Sequence, residues 1–527
     1  MSPSPIIFAE KFNAAEYFVD QNIKAGRGER VAIYYEDKTI TYQEVYENVN
    51  RTGNALLTLG IGLEDRVMLL LFDCPEFAYS FFGAMKIGAV PVPTNTMLKP
   101  RDYLYLLNDS RAKAIIVSQE LLGNIIEIYD ELLYLKHIIV VGDDAPEKYF
   151  NFSDLLKKSA TDLSTAATTA DDPAFWLYSS GTTGFPKGAV HLHHDMIYCA
   201  EYYAKGILGI NENDITFSVA KLFFAYGLGN GLYFSFSVGA STVLVPQRPT
   251  PESVLKTVTK YRPTLYFGVP TSYGAILQIE NAERDYDLSS IRHCASAGES
   301  LPAPIFLKWK EKFGLEILDG IGSTEVLHIF ISNRPGAIKP GSTGQVVPGY
   351  EAKILDADGN RVPQGEVGTL MVKGDSIAAY YWNKHQKTKE TFIGEWINTG
   401  DKYYQDEDGY FFYVGRGDDM IKAGGIWVSP VEVENALMAH PAVLECGVVG
   451  KPDSDGMYKP LAYVVFKQNV DSNDQLLEEL KKFVKSNIAP YKYPRWVVPV
   501  EELPKTATGK IQRYKLRQQA IESTVLE

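Results

Sequence analysis

The sequence predicts an α/β protein. A large N-terminal domain of parallel-rich sheets with helices carries a small β-rich subdomain, and a small α+β C-terminal domain follows. Three observations carry this. Short β-branched runs alternate with helical patterns through residues 1–150 and again after residue 172, the signature of parallel sheets. Residues 341–381 change character, with Gly and Pro turns between short strand-like runs. A boundary near residues 415–419 leaves a C-terminal stretch able to fold on its own.

The elements follow in order. Residues 41–59 read as an amphipathic helix behind a Thr41 cap, 66–72 as a buried strand and 75–87 as the helix after it. Further strands begin at residues 89–93, 114–117 and 138–141. Residues 158–172, rich in Ser, Thr, Ala and Asp, read as a connection. Strands return at 242–245, 265–268 and 291–296, and the β-rich unit contributes 352–355 and 368–372. Beyond the boundary come a helix over 430–440, strands over 443–449 and 462–466, and a helix over 474–488.

Composition narrows the class. At 527 residues the chain is too long for one core, and its hydrophobic share of 45% is that of a globular protein. The net charge is −13, and the short cluster Lys481, Lys482, Lys485 sits beside Glu478 and Glu479, so no nucleic-acid partner is expected. Four scattered cysteines give neither a disulfide framework nor a zinc pattern. The N-terminus lacks the basic-then-apolar pattern of a signal peptide, and the apolar run 67–72 is too short to span a bilayer. No membrane association is expected, and the cytoplasm is the expected location.

The strongest local signal is residues 178–188, Tyr-Ser-Ser-Gly-Thr-Thr-Gly-Phe-Pro-Lys-Gly. It follows the apolar run 174–177. The hydroxyls of Ser179, Ser180, Thr182 and Thr183 can donate to phosphate oxygens. Gly181 and Gly184 let backbone N–H groups approach an anion, and Lys187 adds positive charge. Pro186 before the lysine and Gly188 after it exclude a Walker A loop, which places Lys-Ser/Thr at a helix start. A mobile loop fits better than a rigid cradle on a helix. His191, His193 and His194 cluster beside Asp195 but lack a second ligand group, so strand-end or cap roles are expected rather than a metal site.

This loop resembles the signature of the adenylate-forming superfamily, which comprises acyl-CoA synthetases, peptide-synthetase adenylation domains and beetle luciferases. Four more stretches resemble its other signatures, in family order: 322–325 (Gly-Ser-Thr-Glu), 398–401 (Asn-Thr-Gly-Asp), 415–419 (Gly-Arg-Gly-Asp-Asp) and 504–510 (Pro-Lys-Thr-Ala-Thr-Gly-Lys). The resemblance implies an N-terminal domain over 1–417, with its β-rich subdomain at about 341–415, and a mobile C-terminal domain over 418–527. ATP, Mg2+ and the co-substrate CoA are the implied cofactors. Glu325 becomes the magnesium ligand, and Ser323 and Thr324 face the phosphates. Asp401 holds the ribose with support from Arg416. Gly298, Glu299, Ser300, Asp319, Gly320 and Ile321 form the adenine pocket, with Ile321 standing where many relatives carry an aromatic residue. Lys510 stabilises the adenylation transition state, Asp418 is the hinge, and Lys422, Gly424 and Gly425 help form the thiol tunnel.

The resemblance places the acid pocket on Phe224, Ala225, Tyr226 and Gly227, with Gly322, His328 and Ile329 closing it. A flat apolar slot suits an aromatic ring better than a flexible tail. The segment looks like that of benzoate-CoA ligases, so benzoate is the expected acid and a substituted benzoate or other cyclic carboxylate the alternative. Delivery to a carrier protein is a second alternative, and a non-catalytic nucleotide binder a third. No carrier domain follows Arg517, which favours CoA, while the presence of Lys510, Glu325 and Asp401 argues for catalysis. The resemblance admits a homodimer, and a lysine acetyltransferase acting on Lys510 as a regulatory partner.

Overall fold

The computed structural model describes residues 6–179, 185–417, 419–423, 426–453, 457–468, 470–505 and 510–525. A five-stranded, wholly parallel sheet is ordered Val90–Pro93, Arg66–Leu70, Ala114–Ser118, His137–Val141, Phe150–Asn151. Its strands are near-continuous apolar runs because helices cover them. The predicted Thr41 cap opens the helix Tyr42–Thr58. Thr41 Oγ1 accepts from the Glu44 amide at 3.2 Å and Glu44 Oε2 accepts from the Thr41 amide at 2.7 Å, a capping box.

The nine-stranded sheet positions the chemistry. Its centre is parallel and both edges are antiparallel. Ile215–Ser218, Leu265–Gly268, His293–Ser296 and Ile317–Gly322 lie side by side in it, pointing the same way. The main cavity is lined by the residues that follow each of these strands, so it sits at their carboxyl ends. Open parallel sheets bind ligands there, where the loops leave the sheet and strand carbonyls no longer need ladder partners.

The predicted β-rich unit is an antiparallel sheet of Glu351–Leu355, Gly368–Lys373, Trp396–Gln405, Phe392–Ile393 and Phe411–Arg416. A three-stranded antiparallel sheet joins Pro173–Ser179, Lys187–Leu192 and Tyr380–Tyr381.

The C-terminal domain is built on Val443–Pro452, Tyr458–Phe466 and Trp496–Pro499. Strand alternation divides its side chains: Ala462 and Val464 pack with Leu480 and Val484 on one face, Leu461 and Tyr463 with Leu516 and Ala520 on the other. Two helices, Asp474–Asn487 and Arg513–Val525, therefore cover opposite faces of one small sheet. Among the described residues no helix is long and apolar enough to cross a membrane.

Candidate active site

The turn after the strand Ile317–Gly322 is the most constrained segment of the site. Ser323 caps it, its Oγ accepting from the Val326 amide at 3.2 Å. Leu327 then takes φ 69° and ψ −46°, and the His328 amide donates back to the Val326 carbonyl at 2.9 Å. That is a γ-turn of the rare positive-φ form, strained for a branched side chain and held only where the surroundings over-determine it. They do so here. The Thr324 carbonyl accepts from His191 Nε2 at 2.8 Å, the Glu325 carbonyl from the Ala378 amide at 2.8 Å, and the Val326 carbonyl from Ser376 Oγ at 2.8 Å.

The Glu325 carboxylate is fixed as well. Ser179 Oγ donates to its Oε1 at 2.9 Å and the Tyr381 hydroxyl at 2.7 Å. Both bonds fall on Oε1, and a hard carboxylate oxygen suits a magnesium ion. Lys187 stands 4.5 Å above the Tyr381 ring, and burial lowers its pKa. On the far flank of the loop, Phe185 stacks on Tyr105 at 4.7 Å and the Pro186 carbonyl accepts from the Tyr105 hydroxyl at 3.0 Å. Ser180, Gly181, Thr182, Thr183 and Gly184, named for the phosphates, lie outside the described residues.

A cavity of about 450 Å³ unites residues far apart in sequence. Of those expected at the acid, Phe224, Ala225, Tyr226, Gly322, His328 and Ile329 line it; of those expected at the nucleotide, Gly298, Glu299, Ser323, Thr324 and Lys510 do. Gly227 does not line it. A Cβ there would stand 2.0 Å from the Lys221 carbonyl oxygen, so this glycine serves close main-chain packing under the pocket rather than contact with a ligand.

His328 is a buried, neutral wall of the cavity. It packs against Phe234 at 4.5 Å, Tyr203 at 5.2 Å and Tyr226 at 5.5 Å, and its Nε2 donates to Asn230 Oδ1 at 3.1 Å. Burial lowers its pKa to about 3. Gly229 permits this packing, since a Cβ on it would lie 2.6 Å from the imidazole Cδ2.

The other described residues expected at the nucleotide do not line the cavity. Asp319 is buried, and its Oδ2 accepts from the Leu301 amide at 3.3 Å, which steadies the segment containing Gly298, Glu299 and Ser300. Gly320 and Ile321 continue the same strand, pairing with Ser332 and Ile331. Asp401 receives Arg416 Nη1 at 3.1 Å, and the guanidinium also donates to the Thr399 carbonyl at 2.9 Å. Burial raises the Asp401 carboxyl, while Arg416 and Lys510 oppose that rise.

Glu299 also carries a contact between domains. Its Oε1 accepts from the Ile511 amide at 3.1 Å, joining the C-terminal domain to the cavity wall beside Lys510. Burial raises its pKa, and the Lys510 ammonium is the largest opposing influence. Asp418, Gly424 and Gly425 lie outside the described residues; Lys422 lies on the strand Ile421–Ala423, paired with Trp427.

Three contributors escaped the sequence reading: Tyr381, His191 and Asp195 in the roles they play here. His191 Nδ1 stands 2.7 Å from Asp195 Oδ2, both side chains fully buried. His193 has a different task, its Nδ1 accepting from the Ala14 amide at 3.0 Å. Only the clustering of His and Asp hinted at this, and clustering does not say which main chain a ring will reach.

Residues 20–382 match the family described as AMP-binding enzyme, and residues 432–510 match the AMP-binding enzyme C-terminal domain. The chain belongs to the AMP-binding enzyme family. This AMP-binding enzyme is 47% identical to a benzoate–CoA ligase of Thauera aromatica over 98% of both chains. It is 45% identical to a 4-hydroxybenzoate–CoA/benzoate–CoA ligase of Rhodopseudomonas palustris, over 97% of this chain and 94% of that one. Among solved structures, an anthranilate CoA ligase in complex with anthranoyl-AMP superposes with a TM-score of 0.94 at 45% identity, covering 97% of this chain and 98% of that one. A benzoate CoA ligase from Burkholderia xenovorans LB400 gives a TM-score of 0.89 at 47% identity, covering 96% and 100%.

Proposed function

We propose that this enzyme is an ATP-dependent acid–CoA ligase whose acid is benzoate or a close analogue. Benzoate and ATP give benzoyl-adenylate and diphosphate; CoA then displaces AMP to give benzoyl-CoA. The observation that carries this reading is the shared cavity, in which an apolar slot of Phe224, Ala225, Tyr226, His328 and Ile329 is continuous with Gly298, Thr324 and Lys510. The relatives' substrates support the aromatic acid.

A carboxylate is a poor electrophile, and adenylation gives it a leaving group. The slot holds the ring flat, so the carboxylate is oriented towards the α-phosphate. Thr324 donates to that phosphate, and Lys510 offsets the charge that develops on it. Glu325 would hold magnesium, which supplies charge neutralisation at the departing diphosphate. The loop containing Ser179 and Lys187 closes over the diphosphate. Asp401, oriented by Arg416, accepts from the ribose hydroxyls, and residues 298–300 and 319–321 enclose the base. We assign residues 1–417 to acid and ATP binding and 418–527 to the moving domain, with Asp418 as hinge and Lys422, Gly424 and Gly425 towards CoA. The cytoplasm is the matching location. A lysine acetyltransferase acting on Lys510 would remove its charge and stop adenylation.

Pyrophosphate–ATP exchange over a panel of benzoate, hydroxybenzoates, anthranilate, cyclohexanecarboxylate and acetate tests the reading. Benzoate is expected to support the fastest exchange and to yield a CoA thioester. No exchange with any acid would sink the proposal, and exchange without thioester would move it to carrier-protein loading.

A further inference from the structure

The fully buried His191–Asp195 pair lies outside the cavity lining and takes no part in the chemistry above, yet it reaches the turn that does. His191 lies one residue before the end of the strand Lys187–Leu192 and stacks flat on Phe175, with ring centroids 5.1 Å apart and 17° between planes. The Thr324 carbonyl can only accept, so Nε2 carries a proton and donates to it at 2.8 Å. Nδ1 faces Asp195 Oδ2 at 2.7 Å. That same oxygen accepts from the Leu192 amide at 3.2 Å, and His194 Nδ1 stands 3.0 Å from Oδ1. The ring is thus held by a flat stack, a carboxylate and a carbonyl, with no rotational freedom left.

What it holds is the peptide that joins Thr324 to Glu325, one residue pair upstream of the strained Leu327 turn. We propose that His191, oriented by Asp195, is a positioning residue. It fixes the main chain of this turn and thereby aims the Thr324 hydroxyl and the Glu325 carboxylate at the nucleotide. The inference rests on the roles given to Thr324 and Glu325 above. Glu325 is anchored by its side chain through Ser179 and Tyr381, whereas the Thr324 carbonyl has His191 as its side-chain partner. Loss of the ring should therefore disturb nucleotide binding more than acid binding.

The test is steady-state pyrophosphate exchange by the full chain, using the best acid of the panel above. In His191→Phe, which keeps the stack on Phe175 and removes both polar bonds, the KM for Mg·ATP is expected to rise at least tenfold while the KM for the acid stays within twofold. His191→Gln, whose amide can still donate to the Thr324 carbonyl, should recover most of the loss. A fall in kcat with both KM values at wild type, or a His191→Gln no better than His191→Phe, would reduce the ring to packing and overturn the inference. Should His191→Phe fail to fold, Asp195→Asn decides. A smaller KM shift confined to Mg·ATP supports positioning, and wild-type KM values overturn it. Thr324→Ala and Glu325→Gln separate the two levels of the argument. If they leave exchange intact, the roles assigned to the turn fall and this inference with them. If they abolish it while His191→Phe and Asp195→Asn behave as wild type, positioning alone falls.

Discussion

Tyr381 donates its phenol hydroxyl to Glu325 Oε1 at 2.7 Å, bridging 56 residues of chain. The bond joins the strand Tyr380–Tyr381 to the turn that follows the strand Ile317–Gly322 of the nine-stranded sheet. It also shares one carboxylate oxygen with Ser179, at the end of the strand Pro173–Ser179.

Tyr381→Phe should therefore weaken magnesium-dependent steps without touching the acid slot. Hydrogen bonds to charged groups are worth about 1.5–3 kcal/mol, so a rise of about ten- to a hundredfold in the KM for Mg·ATP is expected. Titrating magnesium in the exchange assay at fixed ATP checks it, and an unchanged magnesium dependence would contradict it.

Lys510→Ala should separate the half-reactions. Removing one preorganised charge at a developing oxyanion costs roughly 10²–10³ in rate. Adenylation should fall by that factor, while thioester formation from supplied benzoyl-adenylate and CoA should stay within about threefold of wild type. Rapid-quench measurement of each half-reaction reads the difference, and equal losses in both would refute the assignment.

Gly229→Ala should act on the acid alone. The added methyl would stand 2.6 Å from the His328 ring, and overpacking of this kind costs about 1–3 kcal/mol. The ring is expected to be pushed into the slot, raising the KM for benzoate by about tenfold with the KM for ATP little changed. An unaltered benzoate KM in a folded variant would mean that His328 yields in some other direction.

Acid should destabilise the fold through two buried histidines. Burial lowers the pKa of His193 to about 4 and that of His328 to about 3, against an ordinary value of 6.5. Below pH 6.5 the unfolded chain takes up protons that the folded chain refuses. The stability from each neutral ring is thus complete above pH 6.5 and lost as pH falls towards the folded pKa. At pH 5 each accounts for a loss of about 2 kcal/mol. Urea unfolding at pH 7, 6 and 5 should show His328→Gln with a shallower fall in stability than wild type, and parallel curves would refute the contribution.

Much of this site was legible in the sequence because its motifs sit where strands end. Gly322 through Glu325 follows one parallel strand and Gly298 follows its neighbour, so glycine and hydroxyl residues mark the exits towards the ligand. Apolar runs separated by helices likewise gave the parallel sheets, whereas the strand Tyr458–Phe466 is apolar on both faces, so its two covering helices could be told apart only in the fold. What the sequence hid is contact across distance. The bonds from His191 to Thr324 and from Ile511 to Glu299 span 133 and 212 residues, and no local pattern encodes which side chain a folded sheet will bring to a given carbonyl or amide. Gly227 misled for a related reason. A glycine beside a pocket looks like room for a ligand, while its real neighbour is the main chain of Lys221.

The γ-turn at Leu327 gives the enzyme a single ruler for two substrates. Thr324, proposed above to meet the phosphate, and His328, proposed to meet the acid, stand on either side of one locked bend, so on that assignment the gap between nucleotide and acid is a property of the main chain. A lineage in search of a new acid has little freedom to lengthen or reshape that stretch without spoiling the nucleotide end. Its freedom lies in the size of the side chains around the slot. Diversification on this scaffold should accordingly be written in substitutions at positions such as Ala225, Tyr226 and Ile329, and very rarely in insertions between residues 323 and 328.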